Sequence, residues 1–133
     1  MNREWQKIYF ARQTALLIYE GIMDLPELLG KYFKAVFSKT QKADNWVNTL
    51  KDYLSELNIF KDTHQKFLKN IRVNVGGHRV QDINKQLDII CSLDPYHIKD
   101  LMFEFDKITR KILEHIQPVI VHSLSLKKVL RHF

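Results

Sequence analysis

The sequence predicts an all-α protein, an antiparallel bundle of four to five helices joined by short connections. Apolar residues recur every three to four positions through most of the 133 residues, as they do along one face of a helix. Only four glycines and three prolines interrupt the chain, and no alternating apolar run is long enough to predict a strand. A chain of this length can bury one core, so we expect one helical domain over residues 1–120 and a basic tail or short helix over 121–133.

The first helix is predicted from about Asn2 to Met23, because an apolar stripe runs along it. The residues at its three- and four-residue steps are Trp5, Ile8, Arg12, Ala15, Leu16, Tyr19 and Met23. Asp24 can then cap a new helix, and Pro26 is tolerated in a first turn, which favours a restart or a kink here. The following shorter helix or kinked continuation would carry Leu28, Leu29, Tyr32, Phe33, Val36 and Phe37.

From Asn45 the strongest helical pattern of the chain begins, and it continues for about eight turns. Its apolar stripe consists of Trp46, Leu50, Tyr53, Leu54, Leu57, Phe60, His64, Phe67, Leu68, Ile71 and Val75. Gly76 and Gly77 are expected to end this helix, because glycine reaches the left-handed conformation of a C-terminal cap without a steric clash.

Two further helices are predicted. One spans residues 80–92 and should turn Ile83, Leu87, Ile90 and Cys91 inward. The next opens with Asp94 as cap and Pro95 in its first turn, and Pro118 is expected to end or kink it. Its buried face would be formed by Ile98, Leu101, Met102, Phe105, Ile108, Ile112 and Ile116.

Composition indicates a cytoplasmic protein without a membrane span. Apolar residues make up 45% of the chain and charged residues 27%, as in soluble globular proteins. The N-terminus lacks the apolar core of a signal peptide, and no apolar run is long enough to span a bilayer. The single Cys91 excludes an internal disulfide and fits a reducing compartment; beside Ile89, Ile90 and Leu93 we expect it to be buried.

The formal net charge of +6 and the pI of about 9.4 bias the surface towards polyanions, above all nucleic acid. Lys127, Lys128 and Arg131 contribute half of this excess with no acidic residue nearby. Those three residues could bind nucleic acid by themselves, and a basic solvated tail explains them equally well.

The candidate site follows the long helix, where Arg72 and His78 flank Gly76-Gly77 and Asn74 lies between them. RNA cleavage requires a proton to leave the 2′-hydroxyl, charge to be stabilised on phosphorus and a proton to reach the leaving 5′-oxygen. A histidine can transfer those protons, and an arginine can hold two phosphate oxygens, so no metal or other cofactor is needed. In an unbroken helix the two side chains would project about 120° apart. A turn at the glycines is needed to bring them together.

An ordinary helix end accounts for the same residues. Lys69, Arg72 and His78 near a helix C-terminus all favour the negative end of the helix dipole. Glu20 could orient Arg72 or His78, although a solvated helix face is the simpler interpretation. His64 lies on the apolar stripe and fits a core histidine.

A metal site is not predicted. His115 and His122 are separated by Pro118, and no paired cysteine or carboxylate ligand set lies near them.

The series Lys69-Asn70-Ile71-Arg72-Val73-Asn74-Val75-Gly76-Gly77-His78, at the end of a long helix, resembles the HEPN superfamily over about residues 2–120. The resemblance implies a bundle of four to five helices, often a homodimer, and in many members a metal-independent endoribonuclease of toxin–antitoxin or antiphage systems. It implies Arg72, His78 and Asn74 as catalytic residues, Lys69 and Arg79 as RNA-binding residues, and RNA or a nucleotide and a cognate antitoxin as partners.

One departure from that family is Val73, because catalytic relatives usually have a polar residue directly after the arginine; Asn74 could supply the polar group instead. The departure favours a rival of a different class, a non-catalytic helical bundle that acts as a dimeric protein-interaction module.

Overall fold

A computed structural model describes residues 3–30, 43–75 and 83–131, and these residues form an all-α structure. They contain α1 (Arg3–Leu28), α2 (Ala43–Val75), α3 (Ile83–Ser92) and α4 (Pro95–Arg131). Outside the helices the described residues are a short turn at 29–30 and a two-residue connection at 93–94. The predicted fold class is therefore confirmed at the level of helical content.

α1 is longer than predicted, because it passes through Asp24 and Pro26 without a restart. A proline removes one backbone donor, and the following turn is held by the hydrogen bond that Leu29 N donates to Leu25 O at 3.0 Å. The rest of the expected second helix, residues 31–37, lies outside the described residues. Leu29 is buried as expected, whereas Leu28 and also Trp5, in the first turn of α1, are more than half exposed.

α2 confirms the long helix and most of its apolar stripe. It begins two residues before the predicted start and extends to Val75. Its buried side chains are Leu50, Leu54, Leu57, Phe60, Leu68 and Ile71, and they meet a buried face of α1 formed by Ala11, Ala15, Ile18, Tyr19 and Ile22. Phe67 departs from the expected burial, since 39% of it is exposed at the edge of the core.

α3 corrects two predictions about burial. Leu87 is 51% exposed and Cys91 is exposed as well, although the helical pattern turned both inward. Leu93, directly after α3, is buried in the core, and Ile89 and Ile90 are partly buried and pack against the core. A helix of only three turns can bury one narrow face, and that face does not include Cys91.

α4 begins with the predicted cap. The carboxylate of Asp94 accepts a hydrogen bond from Tyr96 N at 3.0 Å, and its carbonyl oxygen accepts one from Ile98 N at 3.2 Å. Pro118 lies inside the helix and does not end it, so residues 121–131 continue α4. The buried side chains of α4 are Ile98, Leu101, Ile108, Ile112 and Ile116, while Met102 is 38% exposed and Phe105 is partly buried.

α2 runs in the opposite direction to α4, as two pairs along the helices indicate. Glu56 Oε2 lies 3.1 Å from Lys111 Nζ, and further along α2 His64 Nε2 lies 3.8 Å from Glu104 Oε2. His64 stacks at an angle on Phe60 and its side chain is only 19% exposed, in agreement with the prediction of a core histidine. None of the helices in the described ranges combines the length and apolar character that crossing a bilayer requires.

Candidate anion-binding surface

Arg72, in the last turn of α2, is held by two residues of α1. Its Nε lies 2.9 Å from Oε1 of Glu20, and its guanidinium carbon lies 5.3 Å from the centre of the Tyr19 ring. Tyr19 is buried, whereas the side chains of Arg72 and Glu20 are 39% and 50% exposed. Glu20 is therefore a partner of Arg72, as one of the two interpretations expected, and it also lies on an exposed face of α1.

This arrangement restricts the orientation of the guanidinium. An arginine presents five N–H donors in a rigid plane, and the contact with Glu20 uses the Nε side of that plane. Stacking over an aromatic ring and an ion pair both lower the entropy that remains to be lost when a phosphate binds. The carboxylate of Glu20 also cancels part of the positive charge, so an incoming phosphate must share or displace it.

The outward face of the last turns of α2 carries further cations. It forms a shallow groove of about 710 Å³ lined by Thr63, Lys66, Phe67, Lys69, Asn70 and Val73. Lys69 was predicted to bind RNA, and the structure adds Lys66, one turn earlier on the same face. The sequence contained that signal, because residues three apart are neighbours on a helix surface.

One lining residue of this groove, the exposed aromatic Phe67, contacts a histidine of α4. The ring of Phe67 meets His97, near the start of α4, edge to face with the ring centres 5.2 Å apart. Both side chains are exposed. The sequence pattern put Phe67 in the core and gave no reason to single out His97. We call Lys66, Lys69, Arg72 and Phe67 together the α2 cationic surface.

The other predicted site residues are only partly described. The backbone of Asn74 belongs to α2, whereas His78 and Arg79 lie outside the described residues. The predicted convergence of Arg72 and His78 across Gly76-Gly77 therefore stays a prediction. In the C-terminal segment, Lys127 and Lys128 belong to α4, and Arg131, its last residue, is exposed.

His115 has a structural role that the sequence did not indicate. Its Nε2 lies 2.8 Å from the carbonyl oxygen of Trp46, and Trp46 Nε1 donates a hydrogen bond to the carbonyl oxygen of His115 at 3.1 Å. Because a carbonyl oxygen only accepts, Nε2 of His115 is the donor in this hydrogen bond. The two rings stack with their centres 4.7 Å apart. This reciprocal pair joins the start of α2 to α4.

Within the described ranges, no cluster of three or more histidine, cysteine, aspartate or glutamate side chains could hold a metal ion. No protein family, curated protein or solved structure matches the chain. The α2 cationic surface is the candidate site because it contains the predicted residues Arg72 and Lys69; Lys69 lines the groove, and Arg72 lies beside it in the last turn of α2.

Proposed function

We propose that the protein binds RNA through the α2 cationic surface. The observation that carries the proposal is the guanidinium of Arg72, which lies over the Tyr19 ring and pairs with Glu20, on the helix that presents Lys66 and Lys69. Phosphates supply most of the binding energy in nucleic-acid complexes, through release of counterions by lysine and arginine. The net charge of +6 adds a long-range attraction towards any polyanion.

RNA rather than duplex DNA is the favoured ligand because an aromatic side chain accompanies the cations. Single-stranded RNA exposes unstacked bases, which bind by stacking on aromatic rings, whereas the bases of a duplex stay inside the stack. Phe67 lines the groove together with Lys66 and Lys69 and is 39% exposed. A base on Phe67 would leave its phosphates among the lysines.

The proposal extends to an HEPN-like architecture, an antiparallel bundle of four to five helices that acts as a homodimer. In that architecture Arg72 would hold the scissile phosphate, and His78 would transfer a proton in the cleavage step. Asn74 would orient the side chain of Arg72 or of His78. Lys69 and Arg79 would bind the RNA strand on either side of the cleaved bond. Cleavage would need no metal ion. An endoribonuclease of this kind fits a toxin–antitoxin or antiphage setting, with a cognate antitoxin as partner.

A second candidate function is a non-catalytic, dimeric protein-interaction module. The observation in its favour is Val73, an apolar side chain that is 41% exposed directly beside Arg72. An apolar neighbour offers nothing to a phosphate, and it adds to the contact area available to another protein.

The test is a binding and cleavage assay with single-stranded and structured RNA in EDTA. Wild type is compared with Arg72→Ala, His78→Ala and a matched control, Lys51→Ala, which removes an exposed lysine near the other end of the same helix. We expect Arg72→Ala to weaken RNA binding by about tenfold, as expected for the loss of a charge-assisted contact, and Lys51→Ala to leave it nearly unchanged.

The outcomes separate the proposals. Equal binding by wild type and Arg72→Ala would exclude the α2 cationic surface as the RNA site. RNA binding without cleavage would support the RNA-binding proposal and contradict the proposal that the protein is a nuclease. Equal cleavage by wild type and His78→Ala would remove His78 from the mechanism. No RNA binding by any variant would favour the interaction module.

A further inference from the structure

A second surface, formed by the first half of α1 and the start of α4, is apolar and faces outward. It is an open groove of about 320 Å³ lined by Lys7, Phe10, Ala11, Thr14, Pro95, Tyr96, Ile98, Lys99 and Met102. None of these residues belongs to the α2 cationic surface. We call it the α1/α4 groove.

The groove has a buried floor and exposed walls. Ala11 and Ile98 form the floor and are 6% and 1% exposed. Phe10 and Tyr96, on the walls, are 65% and 67% exposed. Large apolar side chains scattered singly on a surface are ordinary, but here they face one another across a common depression. Such a depression favours an apolar occupant.

The dimensions of the groove fit a helix. Its lining residues cover about two turns of α1 and two turns of α4. Leu17, two turns beyond Phe10 on the same side of α1, is 73% exposed and extends the apolar wall. Amphipathic helices bind such grooves by inserting side chains at positions i, i+3 or i+4 and i+7.

The charged residues that line the groove are all positively charged. They are Lys7 and Lys99, one on each helix, and no acidic residue is among the lining residues. Lys99 lies beside the exposed ring of Phe103, with its Nζ 5.7 Å from the ring centre. Lys7 Nζ lies 3.2 Å from Glu4 Oε1, in a pair whose side chains are 48% and 67% exposed. Exposed pairs of this kind are weak and exchange readily for another carboxylate.

We propose that the α1/α4 groove binds an acidic amphipathic helix of another protein. The apolar side of that helix would cover Phe10, Tyr96 and Met102, and carboxylates on its two flanks would pair with Lys7 and Lys99. Charge complementarity selects this occupant over a second copy of the chain bound groove to groove, because Lys7 and Lys99 of one copy would then face the same lysines of the other. An RNA strand is a poorer occupant than this helix, because the floor of the groove is apolar.

The experiment uses a displayed library of 18-residue helices with fixed apolar positions at i, i+3 or i+4 and i+7. The flanking positions are randomised between glutamate and lysine. Selection on the full-length protein is followed by counter-selection on Phe10→Lys, which changes an exposed wall residue. Because Phe10→Lys could perturb α1, Tyr96→Lys on the other wall serves as a second blocked variant, and circular dichroism checks each fold.

We expect glutamate-rich sequences to be enriched and to lose binding on both blocked variants. A synthetic peptide of the selected sequence should bind the double variant Lys7→Glu/Lys99→Glu at least tenfold more weakly, and exchange of its glutamates for lysines should restore that binding. The substitution Arg72→Ala should leave peptide binding unchanged, which separates this proposal from the RNA-binding proposal.

Three results would overturn the proposal. Selection could yield no sequence whose binding depends on Phe10 or Tyr96, or it could yield lysine-rich sequences. Sedimentation could show self-association that is lost in Phe10→Lys, which would make a second copy the occupant. Binding to anionic phospholipid vesicles that is lost in the same variant would make a membrane surface the occupant.

Discussion

Glu20 and Arg72, which belong to different helices, form an ion pair with 2.9 Å between Oε1 and Nε at the edge of the α2 cationic surface. The pair joins α1 to the last turn of α2, and both side chains are between one third and one half exposed. Exposed pairs of this kind contribute about 0–1 kcal/mol to folding. Glu20 is therefore expected to affect the orientation and charge of the Arg72 guanidinium more than it affects the free energy of unfolding.

Substitution of Glu20 by glutamine should strengthen RNA binding. The change keeps the size of the side chain and removes the charge that competes with a phosphate for Arg72. Two unit charges about 4 Å apart in water interact by about 1 kcal/mol, so we expect affinity to rise by about two- to fivefold in a filter-binding or anisotropy titration.

The matched control is Glu114→Gln, which removes an exposed carboxylate of α4. It raises the net charge by the same amount and should change affinity much less. An affinity that falls in Glu20→Gln as far as it falls in Arg72→Ala would mean that Glu20 acts by orienting the guanidinium, and that its charge does not compete with RNA.

The salt dependence of RNA binding should identify the cations of the α2 cationic surface. Each lysine or arginine that neutralises a phosphate of a single strand adds about 0.7 to the slope of log affinity against log salt concentration. The triple substitution Lys66→Ala/Lys69→Ala/Arg72→Ala should therefore lower the slope by about 2. A slope that stays at the wild-type value would locate the phosphate contacts elsewhere.

A deletion after Pro118 tests the alternative location of those contacts. If Lys127, Lys128 and Arg131 supply the phosphate contacts, the truncated protein should lose both RNA affinity and salt dependence. We expect it to keep most of both, because Lys66, Lys69 and Arg72 remain. Circular dichroism of the truncated protein checks that its helices are intact.

Local signals were sufficient to predict much of the helical structure. The long apolar stripe predicted α2 within two residues of its start, and the Asp94-Pro95 pair predicted the start of α4. Both features depend on residues adjacent in the chain, through helix periodicity and capping. The predictions that a helix restarts near Pro26 or ends at Pro118 were wrong, since α1 and α4 continue through both prolines, whereas the alternative of a kink stays a prediction.

Features that depend on which helices meet could not be predicted in the same way. Arg72 was recognised from its position at a helix end, but its partners Tyr19 and Glu20 come from another helix. Periodicity indicates that one face is buried and does not indicate what covers it. The same limit explains Cys91, whose apolar neighbours predicted burial although it is exposed.

The close approach of α1 and α4 at Gly21 should be sensitive to a single methyl group. A Cβ added at Gly21 would lie 2.6 Å from Cζ of Phe105. Such overpacking typically costs about 1–3 kcal/mol, which outweighs the gain of about 1 kcal/mol from replacing glycine by alanine within a helix. Gly21→Ala should therefore lower the free energy of unfolding, measured by urea denaturation.

The sign of that effect should reverse when Phe105 is shortened. In a Phe105→Leu background the added methyl has room, so Gly21→Ala should stabilise the protein by up to about 1 kcal/mol through helix propensity. The same sign in both backgrounds would show that Phe105 does not limit the approach of the two helices.

The stacked pair of Trp46 and His115 should stabilise the packing of α2 against α4 and so raise the free energy of unfolding. His115→Ala removes a ring stack, worth about 0.5–1.5 kcal/mol, and leaves the carbonyl of Trp46 without that donor. The hydrogen bond from His115 Nε2 is lost as well, although the carbonyl of Trp46 keeps its place among the backbone hydrogen bonds of α2. The two losses together should reach about 1–3 kcal/mol in the free energy of unfolding.

The measurement is urea unfolding followed by the fluorescence of Trp46 in a Trp5→Phe background, which removes the exposed tryptophan of α1. His97→Ala is the matched control, since His97 is exposed and its ring contacts the ring of Phe67 edge to face. It should cost less than about 1 kcal/mol. Equal losses in the two variants would show that the hydrogen bond from His115 Nε2 adds nothing; the bond from Trp46 Nε1 goes to the backbone carbonyl of residue 115 and is kept in His115→Ala.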